Sequence, residues 1–206
     1  MSRVACPPVA QGVEQPILRL FGLVREAVAR ATYALLNGDT DLAQGVVDGD
    51  QEIDEATAEL ELDVWSRIEA GDHASSDLRA LIGILLILPE LERSADLAEH
   101  IAHRALSNVG AEMTPVARGI VQRMSEVASE MWQLVAVAYS NHTARELELA
   151  EEDEELDILH DRLTSEIAQA DMPTNVTAQV TLISRFYERI GDHAVNLSRR
   201  IAALEQ

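Results

Sequence analysis

The sequence predicts an all-α protein built from two tandem, similar three-helix bundles of up-down topology, with six helices in all. Three observations carry this expectation. Apolar residues recur at alternating spacings of four and three over long stretches, which is the stripe of a helix packed lengthwise against others. Aromatic residues make up only 3% of a chain that is 47% hydrophobic, so the core must be built from Leu, Ile, Val and Ala, which suits close-packed helices better than sheets. One acidic pattern also occurs twice, once in each half of the chain. The organisation expected is a tail over residues 1–15, a first bundle over 16–109 and a second over 113–206.

In chain order, Ile17, Phe21, Val24, Val28, Ala31 and Leu35 mark the first helix, which Asn37-Gly38-Asp39 stops. A second helix, from about Asp41 to Glu69, carries Ile53, Ala56, Leu60 and Val64 on one stripe and sets Asp50 and Asp54 at its border. Gly71-Asp72-His73 ends it. The third helix starts at Ser75 or Ser76 as a cap and runs to about Asn108, with a kink expected at Pro89, which lacks an N–H and collides with the preceding turn. Leu81 to Leu88 is apolar on nearly all sides, so this half-helix should be covered both by its own bundle and by the other bundle or a second subunit. The segment from Asn108 to Pro115 reads as the boundary between halves, with Thr114 as cap and Pro115 in the first turn of the fourth helix. That helix runs to about Ser140. The fifth, from about Thr143 to Ala170, turns Leu149, Leu156, Leu163 and Ile167 inward and leaves Asp153 and Asp157 at the border. After Pro173-Thr174-Asn175 the sixth helix carries an unbroken stripe of Val176, Val180, Ile183, Tyr187, Ile190, Ala194, Leu197, Ile201 and Leu204.

The formal charge of −20 excludes a nucleic-acid backbone or an anionic lipid surface as the main partner, since either would be repelled at long range. Metal cations or basic protein surfaces fit better. All 16 basic residues are Arg, which reads as a composition bias. Cys6 is the only cysteine, so the chain forms no internal disulfide and no cysteine-based zinc site. The N-terminus has no basic start followed by an apolar stretch, and the longest apolar run falls far short of the roughly 20 residues of a membrane helix. A soluble, cytoplasmic protein is expected.

The repeated pattern is Glu92-Arg-Ser-Ala-Asp96-Leu-Ala-Glu-His100 and Glu188-Arg-Ile-Gly-Asp192-His-Ala-Val-Asn196, each preceded by another acidic pair, Asp50/Asp54 or Asp153/Asp157. Carboxylates four residues apart share one side of a helix, and on helix six Glu188 and Asp192 fall roughly opposite the apolar stripe. Four carboxylates from two neighbouring helices repel one another unless some are protonated or a cation joins them. Oxygen-only ligands suit hard cations such as Mg²⁺, Ca²⁺, Mn²⁺ or Fe³⁺. His100 follows Asp96 by one turn and His160 follows Asp157 by three residues, so each is a candidate extra ligand. Gly191 lies mid-helix, where Ala would be about 1 kcal/mol better, which suggests close approach by a neighbouring helix or a partner.

The doubled acidic pair with the longer signature in the last helix resembles PhoU, the accessory and regulatory protein family of bacterial phosphate uptake. The resemblance spans nearly the whole chain and implies the same PhoU-like, spectrin-like pair of bundles. It also implies metal ions (iron, manganese, magnesium, calcium or zinc) held by Asp50, Asp54, Glu92 and Asp96 at one site and by Asp153, Asp157, Glu188 and Asp192 at the other. The partners implied are an ATP-binding cassette phosphate transporter ATPase and a phosphate-sensing histidine kinase, with the protein holding phosphate transport and the phosphate-starvation genes in check. A homodimer is expected; nucleic acid and membrane insertion are not. The first copy departs from the second at Ser94-Ala95 and His100, where the second has Ile190-Gly191 and Asn196. Two alternatives stand beside this non-enzymatic reading: a carboxylate-bridged di-metal enzyme, and a metal-free structural adaptor. The chain lacks the Glu-x-x-His pairs of oxygen-activating di-iron bundles around these motifs, which weighs against the enzyme.

Overall fold

The computed structural model describes residues 12–71, 73–141 and 145–204. Cys6, Asp72, the expected start of a helix at Thr143 and the side chain of Leu204 lie outside the described residues. Among those described there are seven helices and no strand: α1 (Glu14–Asn37), α2 (Thr40–Glu69), α3 (Ser75–Leu106), α4 (Val109–Glu112), α5 (Pro115–Asn141), α6 (Glu146–Gln169) and α7 (Thr174–Leu204). No described helix is long and apolar enough to cross a membrane.

The helix not foreseen is α4, a single turn in the segment expected only to separate the halves. It forms because the connection is packed: Val109 and Gly110 are buried, and Arg118 donates to the Gly110 carbonyl at 2.6 Å and to the Leu36 carbonyl at the end of α1. Asn108 enters the turn with φ 56°, a left-handed conformation that Asn tolerates well. Two smaller differences concern helix starts. Helix α1 begins inside the expected tail, with Val13 fully buried; Pro16 fits because the first turn has no partner for its missing N–H. The N-cap of α3 is Ala74, without a side-chain cap bond, so neither Ser75 nor Ser76 caps it. The Thr114 cap is as expected, and Asp39 supplies a cap the sequence reading did not name. Thr114 accepts from the Ala117 N–H at 3.0 Å, and Asp39 accepts from the Leu42 N–H at 2.9 Å at the head of α2.

Helices α1, α2 and α3 pack on one another, as do α5, α6 and α7; α1 also meets α5, and α3 meets α7. The stripes explain these pairings. Ile17, Phe21, Val24, Val28, Ala31 and Leu35 are all buried on α1, and the α7 stripe of Val176, Val180, Ile183, Tyr187, Ile190, Ala194, Leu197 and Ile201 is buried likewise. Between α1 and α5 the Phe21 ring lies 6.0 Å from Trp132 and 5.8 Å from Tyr139. The Trp132 indole donates to the Ile190 carbonyl at 3.3 Å, tying α5 to α7 beside Gly191. A Cβ on Gly191 would lie 2.6 Å from Leu156 Cδ2, so the mid-helix glycine does admit a close neighbour, from α6. The apolar first half of α3 continues through Pro89 as one helix. Contrary to expectation it is not covered all round: Leu78, Ile82 and Leu86 stay exposed as a stripe, and the α7 side chain that reaches it is Arg200, which donates to the Leu86 carbonyl.

Candidate metal centres

The first acidic set lies where α2 runs along α3. On α2, Ile53, Thr57, Leu60 and Val64 turn into the core, which carries Asp50 and Asp54 to the rim of the helix pair. On α3, Ile87, Leu91, Ala95 and Ala98 are buried, which sets Glu92 and Asp96 on the facing rim. Asp50, Asp54 and Asp96 each bring a carboxylate oxygen within 4.8 Å of the others. Among the described residues this is the group that gathers three such ligands, and it contains no histidine.

The electrostatics follow from this crowding. Burial, and then the neighbouring charge of Asp54, push the Asp50 carboxyl up to about 7, with Glu99, Asp96 and Glu92 adding to the effect. Burial and Asp54 also raise Asp96, against a lowering by His100; burial, Asp54 and Asp96 raise Glu92, against a lowering by Arg93. One oxygen of Asp50 is buried and has no hydrogen-bond partner. A buried acceptor without a donor, facing further carboxylates, is a site short of positive charge. The all-oxygen donor set fits a hard cation, which Asp50, Asp54 and Asp96 could hold with Glu92 beside them. Glu99 acts on both Asp50 and Asp96, yet the sequence did not single it out. Its place three residues after Asp96 was the available signal.

The second set, on α6 and α7, is looser. Asp153 is raised by burial, then by Asp157, Asp192 and Glu188, against a lowering by Arg199, so the four expected residues do share one neighbourhood. Asp157 and Asp192 are exposed and Glu188 is half-buried. Glu188 is drawn aside: Arg185 pairs with one oxygen, and His160 Nδ1 lies 3.8 Å from the other. His160 itself bonds the buried Ser184 hydroxyl at 2.9 Å, which orients it beside the set. His100, the other candidate ligand, stacks on Phe186 at 5.5 Å. His193, although part of the signature, turns away from the carboxylates and bonds Glu90 on α3.

Fold and site together define a class: an all-helical protein that presents one acidic set between α2 and α3 and a corresponding one between α6 and α7. The PhoU domain model matches residues 17–105 and again 121–201, and the chain belongs to the PhoU family. It is 32% identical over 186 residues to the phosphate-specific transport system accessory protein PhoU homolog 2 of Mycobacterium tuberculosis, covering 88% of this chain and 87% of that one. The PhoU homolog of Rhizobium meliloti is 31% identical over 191 residues, covering 90% of this chain and 80% of the relative. Among solved structures, PhoU from Pseudomonas aeruginosa superposes with a TM-score of 0.86 at 26% identity, covering 95% of this chain and 96% of that one. The phosphate transport system regulatory protein PhoU from Streptococcus pneumoniae gives 0.82 at 26% identity, covering 94% and 93%.

Proposed function

We propose that this chain is a non-enzymatic regulator of phosphate uptake whose two tandem three-helix repeats, residues 16–109 and 113–206, each hold a cation on a carboxylate set. Asp50, Asp54, Glu92 and Asp96 form the first site; Asp153, Asp157, Glu188 and Asp192 form the second. The observation that carries the reading is the Asp50, Asp54 and Asp96 cluster with its unpartnered buried oxygen, at the motif that recurs in the second half. A bound cation supplies the positive charge that ties α2 to α3 against the repulsion of their carboxylates. Iron, manganese, magnesium or calcium suits the oxygen donors better than zinc does.

The relatives are named accessory proteins of a phosphate-specific transport system, which supports a transporter ATPase as one partner. A phosphate-sensing histidine kinase is the second, so that the protein, in the cytoplasm, restrains transport and the phosphate-starvation genes when phosphate is plentiful. The exposed Leu78, Ile82 and Leu86 stripe supports a homodimer. The absence of histidine from the tightest carboxylate group favours a cation held for structure and signalling over an oxygen-activating centre. A deletion strain carrying a phosphate-starvation reporter tests the regulatory role. Expression in high phosphate should rise on deletion and fall again with the wild-type gene, but not with Asp50→Asn plus Asp96→Asn. Normal repression in the deletion strain would refute it.

A further inference from the structure

Glu90 is only 4% exposed, although it sits between Leu88 and Leu91 in the apolar seam where α3 meets α7. A buried carboxylate is tolerated only with partners, and both come from the other half of the chain. His193 Nδ1 donates to one Glu90 oxygen. Arg200 donates to the other at 2.7 Å, and also to the Leu86 carbonyl one turn back on α3.

The same seam holds a second crossing contact. The Arg104 guanidinium of α3 lies over the Phe186 ring of α7 at 4.9 Å, and His100 stacks on the same ring at 5.5 Å. The positions correspond. Phe186 follows Glu90 by 96 residues and Arg200 follows Arg104 by 96, the separation that also relates Glu92 to Glu188 and Asp96 to Asp192. In each half an arginine eight residues after the motif Asp reaches across to the residue two before the other half's motif Glu. One crossing is a buried carboxylate paired with a partly exposed arginine, and the other a cation on an aromatic face. Together they set α3 antiparallel to α7.

We infer that Glu90, His193, Arg200 and Arg104 form a reciprocal latch between the halves, and that they are positioning residues for the carboxylate sets. Glu90 precedes Glu92 by two residues and His193 follows Asp192 directly, so the charged crossing joins the backbone beside one set to the backbone beside the other. A shift of α7 that regroups Asp192 with Asp153 and Asp157 is passed through His193 to α3. The two sets therefore respond as one unit. This last consequence rests on the cation reading above; the latch itself does not.

The test uses the full chain with Cys6→Ser and spin labels on cysteines replacing the exposed Glu59 of α2 and Glu151 of α6. Without metal, Glu90→Gln and Arg200→Gln should each broaden the inter-label distance distribution while helix content stays at the wild-type level. Glu90→Phe with His193→Leu rebuilds the aromatic crossing at the charged position and should narrow the distribution again. An unchanged distribution in both single variants would overturn the latch. Mn²⁺ titration then tests the coupling. In the native background Asp157→Asn with Asp192→Asn should weaken Mn²⁺ binding at the first set by on the order of fivefold, and this effect should vanish with Glu90→Gln. An equal effect in both backgrounds would overturn the coupling. A wild-type chain that binds none of Mn²⁺, Mg²⁺, Ca²⁺ or Fe³⁺ would refute the cation reading and leave the distance measurement to decide the latch.

Discussion

Gly110→Ala is expected to destabilise the fold by about 3 kcal/mol, the upper end of what overpacking costs, and to lower Tm by roughly 6–12 °C for a chain of this size. A Cβ at this position would lie 1.8 Å from the Leu35 carbonyl oxygen and 2.8 Å from its carbon. Those are backbone atoms in the last turns of α1, and no rotamer change relieves the clash. Moving α4 away instead breaks the bonds from Arg118 to the Gly110 and Leu36 carbonyls. Gly191→Ala is the control. Its Cβ meets the tip of Leu156, which can turn aside, and Ala gains about 1 kcal/mol of helix propensity, so the two effects nearly offset. Thermal unfolding followed by circular dichroism separates the two. A Gly110→Ala melt close to the wild type would show that the junction between halves is not held as described.

Cation addition is expected to raise Tm at neutral pH and much less in mild acid. In the metal-free chain Asp50 has its carboxyl raised from 3.8 to about 7. Between roughly pH 4 and 7 the folded chain therefore holds a proton at Asp50 that the unfolded chain has lost, so stability falls as pH rises through that window. Asp50 is half-buried and screened by solvent, which limits this loss to about 1 kcal/mol. A cation displaces that proton and satisfies the buried oxygen. At a hundredfold excess over its Kd it adds about 2.7 kcal/mol, or roughly 5–10 °C in Tm. At pH 5 the proton competes and the gain shrinks. A melting temperature at pH 7.5 that none of Mg²⁺, Ca²⁺, Mn²⁺ or Fe³⁺ shifts would contradict the site.

The features legible in the sequence are those set by local periodicity. A stripe at spacings of four and three fixes which face of a helix is buried, so the stripes of α1 and α7 and the border positions of Asp50 and Asp54 could be read directly. The Thr114 cap is equally local. What the sequence did not disclose depends on how distant segments meet. Glu90 reads as one acid in an apolar run until α7 brings His193 and Arg200 to it from over a hundred residues away. The α4 turn forms because Gly110 lies on the end of α1, which no pattern within residues 108–115 reveals. The difference between the two acidic sets has the same origin. Their spacings match along each helix, but Arg185 and His160 draw Glu188 aside in the second.

The most direct measurement is elemental analysis of protein purified without chelator, comparing wild type with Asp96→Ala plus Asp192→Ala, one carboxylate from each set. The account predicts metal bound to the wild type and a clear loss in the double variant at unchanged helix content. Wild-type protein that carries no metal and takes up none on titration, or a double variant that keeps the full amount, would contradict it.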